Sequence, residues 1–130
     1  MIGQAYLADE IHRMFPPAEG WVILPRFRLP SGVAIDYLIY RKKLFRYERI
    51  IVEYREGGGL TREDVRQLAG HMAECCAGKG VFCVPHDMQP PPEVSLESFV
   101  SGVEIRRLPL RGLVLAKGSE DGDKERERRR

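Results

Sequence analysis

Gly32-Val33-Ala34-Ile35-Asp36-Tyr37-Leu38-Ile39-Tyr40 and Arg49-Ile50-Ile51-Val52-Glu53-Tyr54-Arg55-Glu56 are two apolar runs of strand length, each interrupted by an acid. Val, Ile and Tyr dominate both, the composition of strands buried on two faces. An ionised carboxylate in such a run is costly unless it is paired or holds a cation, so Asp36 and Glu53 call for an explanation. A hairpin centred on the connection Arg41–Glu48 puts positions 36 and 53 opposite each other. Directly opposed residues have Cβ atoms roughly 5 Å apart, and like charges there repel. A cation between them turns that repulsion into a binding site. Strand alternation sets Ile51, Glu53 and Arg55 on one face, aiming Arg55 at the same place. The same residues also admit a structural reading, in which Glu53 pairs with Arg55 and backbone groups at the sheet rim satisfy Asp36.

The flanking segments complete an α/β order. Gln4 to Phe15 carries Leu7, Ile11 and Met14 at helical spacing before Pro16-Pro17 stop it. Trp21 to Leu29 reads as a strand ending in the turn Pro30-Ser31-Gly32. After Glu56 come three glycines; then Thr61 caps a helix with Glu63 and Asp64 in its first turn, where the helix dipole favours acids. Val65, Leu68, Ala69 and Met72 form its apolar face, and it runs to about Cys76. Val81 to Val84 is a short central strand, Ser95 to Ser101 a short helix, and Val103 to Leu110 an edge strand. The expectation is α-β-β-β-α-β with small additions, a mixed central sheet flanked by helices. One domain covers residues 1–115. Residues 116–130 form a charged tail without apolar period, expected to be disordered.

This pattern resembles the restriction-endonuclease-like (PD-D/E-x-K) nuclease superfamily. There an Asp lies on the second core strand, as Asp36 does here. An acid, one residue and a Lys lie on the third, matched by Glu53-Tyr54-Arg55. A following helix often carries a Gln facing the site, matched by Gln67. The likeness spans about residues 3 to 86, with its specific part from 32 to 72. It departs at the Lys position, where Arg55 stays charged and is a poor base. The family's first helix often lends a Glu; Glu10 is a candidate, while Gln4 occupies the helical phase that fits the pattern somewhat better. The resemblance implies metal-dependent hydrolysis of phosphodiesters in nucleic acid, DNA before RNA. Asp36, Glu53, the Tyr54 carbonyl and Glu10 would hold Mg²⁺ or Mn²⁺, Arg55 would neutralise developing charge, and Gln67 would position water or phosphate. A homodimer is the assembly it implies. The alternative is a fold relative without catalysis, serving as a nucleic-acid-binding or assembly module.

Composition narrows the rest. Of 130 residues, 43% are hydrophobic and 31% charged, enough for one core and not two. No run approaches the roughly 20 apolar residues that span a bilayer, and the first ten residues are unlike a signal peptide. The chain is therefore expected in the cytoplasm, without a membrane partner. Three cysteines argue against a disulfide framework. The net charge of +2 is too small for a basic footprint across the whole surface. The local basic cluster Arg41, Lys42, Lys43, Arg46 and Arg49, interleaved with Tyr40, Phe45 and Tyr47, is the candidate nucleic-acid contact, extended by Arg26 and Arg28. A solvated hairpin tip is the plainer reading of it. His71 and Cys75, then Cys83 and His86, are zinc-type residues, but buried free cysteine accounts for them more simply.

Overall fold

The computed structural model describes residues 2–56 and 59–109, with side chains from residue 6 onward. Gly57 and Gly58, the expected end of the domain (residues 110–115) and the charged tail lie outside the described residues. Helix α1 (Ile2–Met14) precedes strands β1 (Val22–Arg28), β2 (Ala34–Lys42) and β3 (Tyr47–Tyr54). Helix α2 (Arg62–Cys75), strand β4 (Lys79–Val84), helix α3 (Pro92–Ser101) and strand β5 (Val103–Arg107) follow. The five strands lie side by side in chain order.

The first three strands form an antiparallel meander, while β3–β4 and β4–β5 are parallel pairs. Parallel neighbours need a crossover, and α2 and α3 supply the two. Both crossovers advance in the same direction across the sheet, so a common hand brings both helices to one face. Leu68 and Met72 of α2 and Val94 of α3 share a buried cluster with Leu38, Ile51 and Phe82. Leu7 and Ile11 of α1 pack on the opposite face, against Ile39, Ile50, Val52, Val81 and Cys83. The alternation Ile50, Ile51, Val52 thus feeds two cores, as double-sided burial requires. The fold is α/β, a five-stranded mixed sheet flanked by helices.

The structure adjusts several boundaries. Strands β2 and β3 reach into the Arg41–Glu48 connection and leave only Lys43–Arg46 as the turn. Cross-strand side chains account for the extension: Tyr40 meets Tyr47 edge-on at 5.8 Å between ring centroids, and Arg41 Nε donates to Glu48 at 3.2 Å. Helix α3 begins at Pro92, three residues earlier than its apolar pattern, because proline suits a first helical position. Two features mark strand edges and packing. Edge strand β1 contains Pro25 and, next to it, Arg26 at a left-handed φ of 50°. At Gly80 in β4, helix α2 comes so near that a Cβ there would lie 2.7 Å from Met72 Sδ and 3.3 Å from Leu68 Cδ2.

That close approach makes Gly80 a test of packing. Gly80→Val is expected to lower the unfolding free energy by about 1–3 kcal/mol through overpacking. In a Met72→Ala background the loss should shrink, as urea titration of the four-member cycle would report. Additive losses would mean that α2 is seated by other contacts.

Candidate functional site

Two strands deliver the carboxylates. The β2–β3 ladder pairs Lys42 with Tyr47 and ends at Tyr37 with Val52. One step further in the same register puts Asp36 opposite Glu53, on the face that carries Leu38, Ile51 and helix α2. Here Asp36 Oδ2 accepts the Tyr54 N–H at 2.7 Å. This bond holds one carboxylate oxygen and leaves the other. Tyr54, expected to lend its carbonyl, meets Asp36 through its N–H. Glu53 is half-buried, and its pKa rises from 4.5 to about 7. Burial is the main cause, followed by the charge of Asp36; Arg55 opposes the rise, and a hydrogen bond with Asp36 adds to it. The two acids therefore converge and compete for charge.

Arg55 continues the same face. Its N–H donates to the Cys83 carbonyl at 3.0 Å, which ties this end of the chain to β4. Its guanidinium grips Asp64 with two bonds, Nη1 to Oδ2 at 3.0 Å and Nη2 to Oδ1 at 3.1 Å, the planar fork-to-fork geometry that favours arginine. The cation also lies 6.0 Å from the centre of the Phe82 ring. Asp64 has a second task. It accepts the Thr61 N–H at 2.9 Å while Thr61 Oγ1 accepts the Asp64 N–H at 3.1 Å, a reciprocal cap on α2. Burial pushes the Asp64 carboxyl up, but hydrogen bonds from Thr61 and Arg55 outweigh it and hold the group below its usual range.

These groups border a cleft of about 200 Å³ lined by Val33, Glu53, Arg55, Asp64, Gln67, Leu68, His71 and Phe82. Gln67 is exposed there, one turn beyond Asp64. His71, a turn further, has its Nδ1 buried without a hydrogen-bond partner. Sequence reasoning overlooked Asp64 and His71 as residues of this cleft. The spacing 64, 67, 71 on one helical face was the available signal. Arg26, expected to extend the basic cluster, stands at the acids instead: the β1–β2 register continues to set it opposite Asp36, between the pairs Pro25–Tyr37 and Phe27–Ile35.

Other expected residues lie elsewhere. Glu10 is buried on α1, across the sheet from α2, and pairs with Arg13 at 3.2 Å. Gln4 belongs to α1 by its backbone, but its side chain lies outside the described residues. Cys83 packs on the α1 side and Cys75 on the α2 side, so the sheet separates the zinc-type residues. Among the described residues no three His, Cys, Asp or Glu side chains form a metal-holding group; the convergent acids are two. The basic cluster runs along the hairpin to its tip at Leu44, roughly 26 Å along the strand from Asp36.

No protein-family model matches the chain, and no curated protein matches it. Among solved structures it is similar to one titled "Crystal Structure of Protein of Unknown Function AF1548". The two share 11% sequence identity at a TM-score of 0.59, over 88% of this chain and 67% of that one. The likeness is one of fold alone.

The raised proton affinity of Glu53 has a sign in stability. Below about pH 4.5 the folded and unfolded chains both keep the proton. Between there and about pH 7 only the folded chain keeps it, so stability falls as pH rises and stays low above. Glu53→Gln should therefore be more stable than the parent at pH 8, by on the order of 2 kcal/mol after allowance for solvent screening. The gain should vanish toward pH 4 in urea titrations at both values. Equal stabilities at pH 8 would show that ionised Glu53 carries no cost from its burial or from Asp36.

Proposed function

We propose that the chain is a divalent-metal-dependent nuclease domain with a restriction-endonuclease-like core, acting on nucleic acid and on DNA first. The observation that carries this reading is the convergence of Asp36 and Glu53 at the point where β2 and β3 stop pairing. The order of helix, three-stranded meander, crossover helix and parallel fourth strand supports it. The acids are hard oxygen donors of the type that Mg²⁺ and Mn²⁺ prefer, and their mutual repulsion is what a cation would relieve. Bound there, such an ion would activate water and polarise the scissile phosphate.

The chain's own groups divide the remaining work. The Tyr54 N–H holds Asp36 in place through one oxygen. Arg55, oriented by Asp64, offsets charge that develops on the phosphate; a guanidinium is no general base. Gln67 borders the cleft and offers both a donor and an acceptor to phosphate or water. Glu10, across the sheet and paired with Arg13, is not needed in this arrangement. The second reading, a binding or assembly module without catalysis, is favoured by one observation. Arg55 stands where the superfamily has lysine, and both arms of its fork are engaged by Asp64.

Calorimetry and cleavage assays separate the two. One Mn²⁺ is expected to bind per chain, and Asp36→Asn should weaken it more than about 100-fold, since loss of a ligand exceeds loss of a group that merely orients one. Cleavage of DNA with Mn²⁺ should persist or increase in Arg55→Lys and disappear in Arg55→Ala. If the parent and Arg55→Lys are both inert on single- and double-stranded DNA and RNA, the module reading stands instead.

A further inference from the structure

The end of the β2–β3 hairpin exposes two large apolar side chains that the fold does not use. Leu44 is 88% and Phe45 96% accessible. They sit on a braced arm. The Lys43 N–H donates to the Arg46 carbonyl at 2.7 Å, the edge-on Tyr40–Tyr47 pair lies just below, and Glu48 binds Arg41 at 3.2 Å and Lys43 at 3.7 Å. Arg41 is further engaged, its guanidinium lying 4.2 Å from the centre of the Trp21 ring. Arg49 lies over Tyr47 at 5.7 Å. Lys42 and Arg46, by contrast, flank the tip without an ion-pair partner among the described residues. The charged cluster of the sequence thus splits into structural braces and two cations beside an apolar point.

Phosphates ask for cations alone, and an apolar point between cations asks for bases beside them; bases already unpaired spare it the cost of unstacking a duplex. We propose that Leu44 and Phe45 form a wedge that stacks on unpaired bases, with Lys42 and Arg46 on the adjoining phosphates. The preferred ligand is then a duplex that opens into single strand, not an intact duplex. This deepens the nucleic-acid reading of the cleft and rests on it for the polymer. The tip and the carboxylates belong to the same two strands, roughly 26 Å apart. At about 3.4 Å per stacked nucleotide, eight nucleotides cover that distance, so one continuous strand reaches both.

The test uses the full chain in EDTA, so that binding is read without cleavage. The probes are a blunt duplex and the same duplex with a single-stranded extension carrying 2-aminopurine at the junction. Expected is at least tenfold tighter binding of the extended probe, with a change in 2-aminopurine fluorescence. Phe45→Ala should weaken that binding about 10- to 100-fold, the range set by loss of one stacked base, and leave the blunt duplex and the salt dependence nearly unchanged. Lys42→Glu with Arg46→Glu should weaken both probes and flatten the salt dependence. These positions are exposed, and circular dichroism verifies that each variant folds. Equal affinity for the two probes, no effect of Phe45→Ala, or no binding of either probe would each overturn the proposal. So would Phe45-dependent binding to phosphatidylserine–phosphatidylcholine vesicles without preference for the extended probe. Cleavage assays on Asp36→Asn judge the cleft separately. A chain that never cuts can still show the wedge, and one that cuts but ignores Phe45→Ala lacks it.

Discussion

The hydrogen bond from the Tyr54 N–H to Asp36 Oδ2 governs what the centre of this sheet can do. It replaces a main-chain bond at the point where the antiparallel ladder ends. Pairing of β3 with β2 stops at Val52, but pairing with β4 continues through Glu53 and Tyr54, and the Arg55 N–H extends it to Cys83. The third strand therefore changes its allegiance across three residues. Side chains at the parting point are released from one neighbour while the other holds their backbone rigid. That is how a carboxylate pair is kept half-buried beside the apolar Ile35 and Val52.

The helix beyond is coupled to that parting point. Asp64 caps α2 and clamps Arg55 with the same carboxylate, so the start of the helix and the end of β3 share one group. Hydrogen bonds to charged groups contribute about 1.5–3 kcal/mol each, which makes Asp64 expensive to replace on both counts. The pairing also suits arginine at position 55 better than lysine. A planar fork meets a planar carboxylate bidentately, whereas an ammonium would meet it as a point charge.

Much of this was legible in the sequence because the informative residues are local. Two apolar runs around a short connection determine a register, and the ladder that ends at Tyr37–Val52 has the pairing that the hairpin reading assumed. Thr61 and Asp64 announced the start of α2. What escaped notice depends on phase between distant elements. Nothing near Asp64 says that it will face Arg55, and nothing near His71 says that its ring will border Glu53. The placement of α1 across the sheet from α2, which decides where Glu10 lies, is a property of the whole topology. Arg41 looked like a free cation because its partners, Trp21 and Glu48, are set by strand pairing and not by neighbours in the chain.

An open sheet invites growth. Both outer strands of this one are unpaired on one side among the described residues, the template on which chains add to one another as fibrils. The outer strand β1 answers with Pro25, which has no N–H to offer, and with Arg26, whose left-handed backbone breaks the flat edge beside it. On the other side β5 is five residues long and carries Glu104, Arg106 and Arg107. A second copy approaching β1 finds a missing donor and a kink. The same irregularity that sets a cation opposite Asp36 thus also blunts the edge on which a second copy would add a strand.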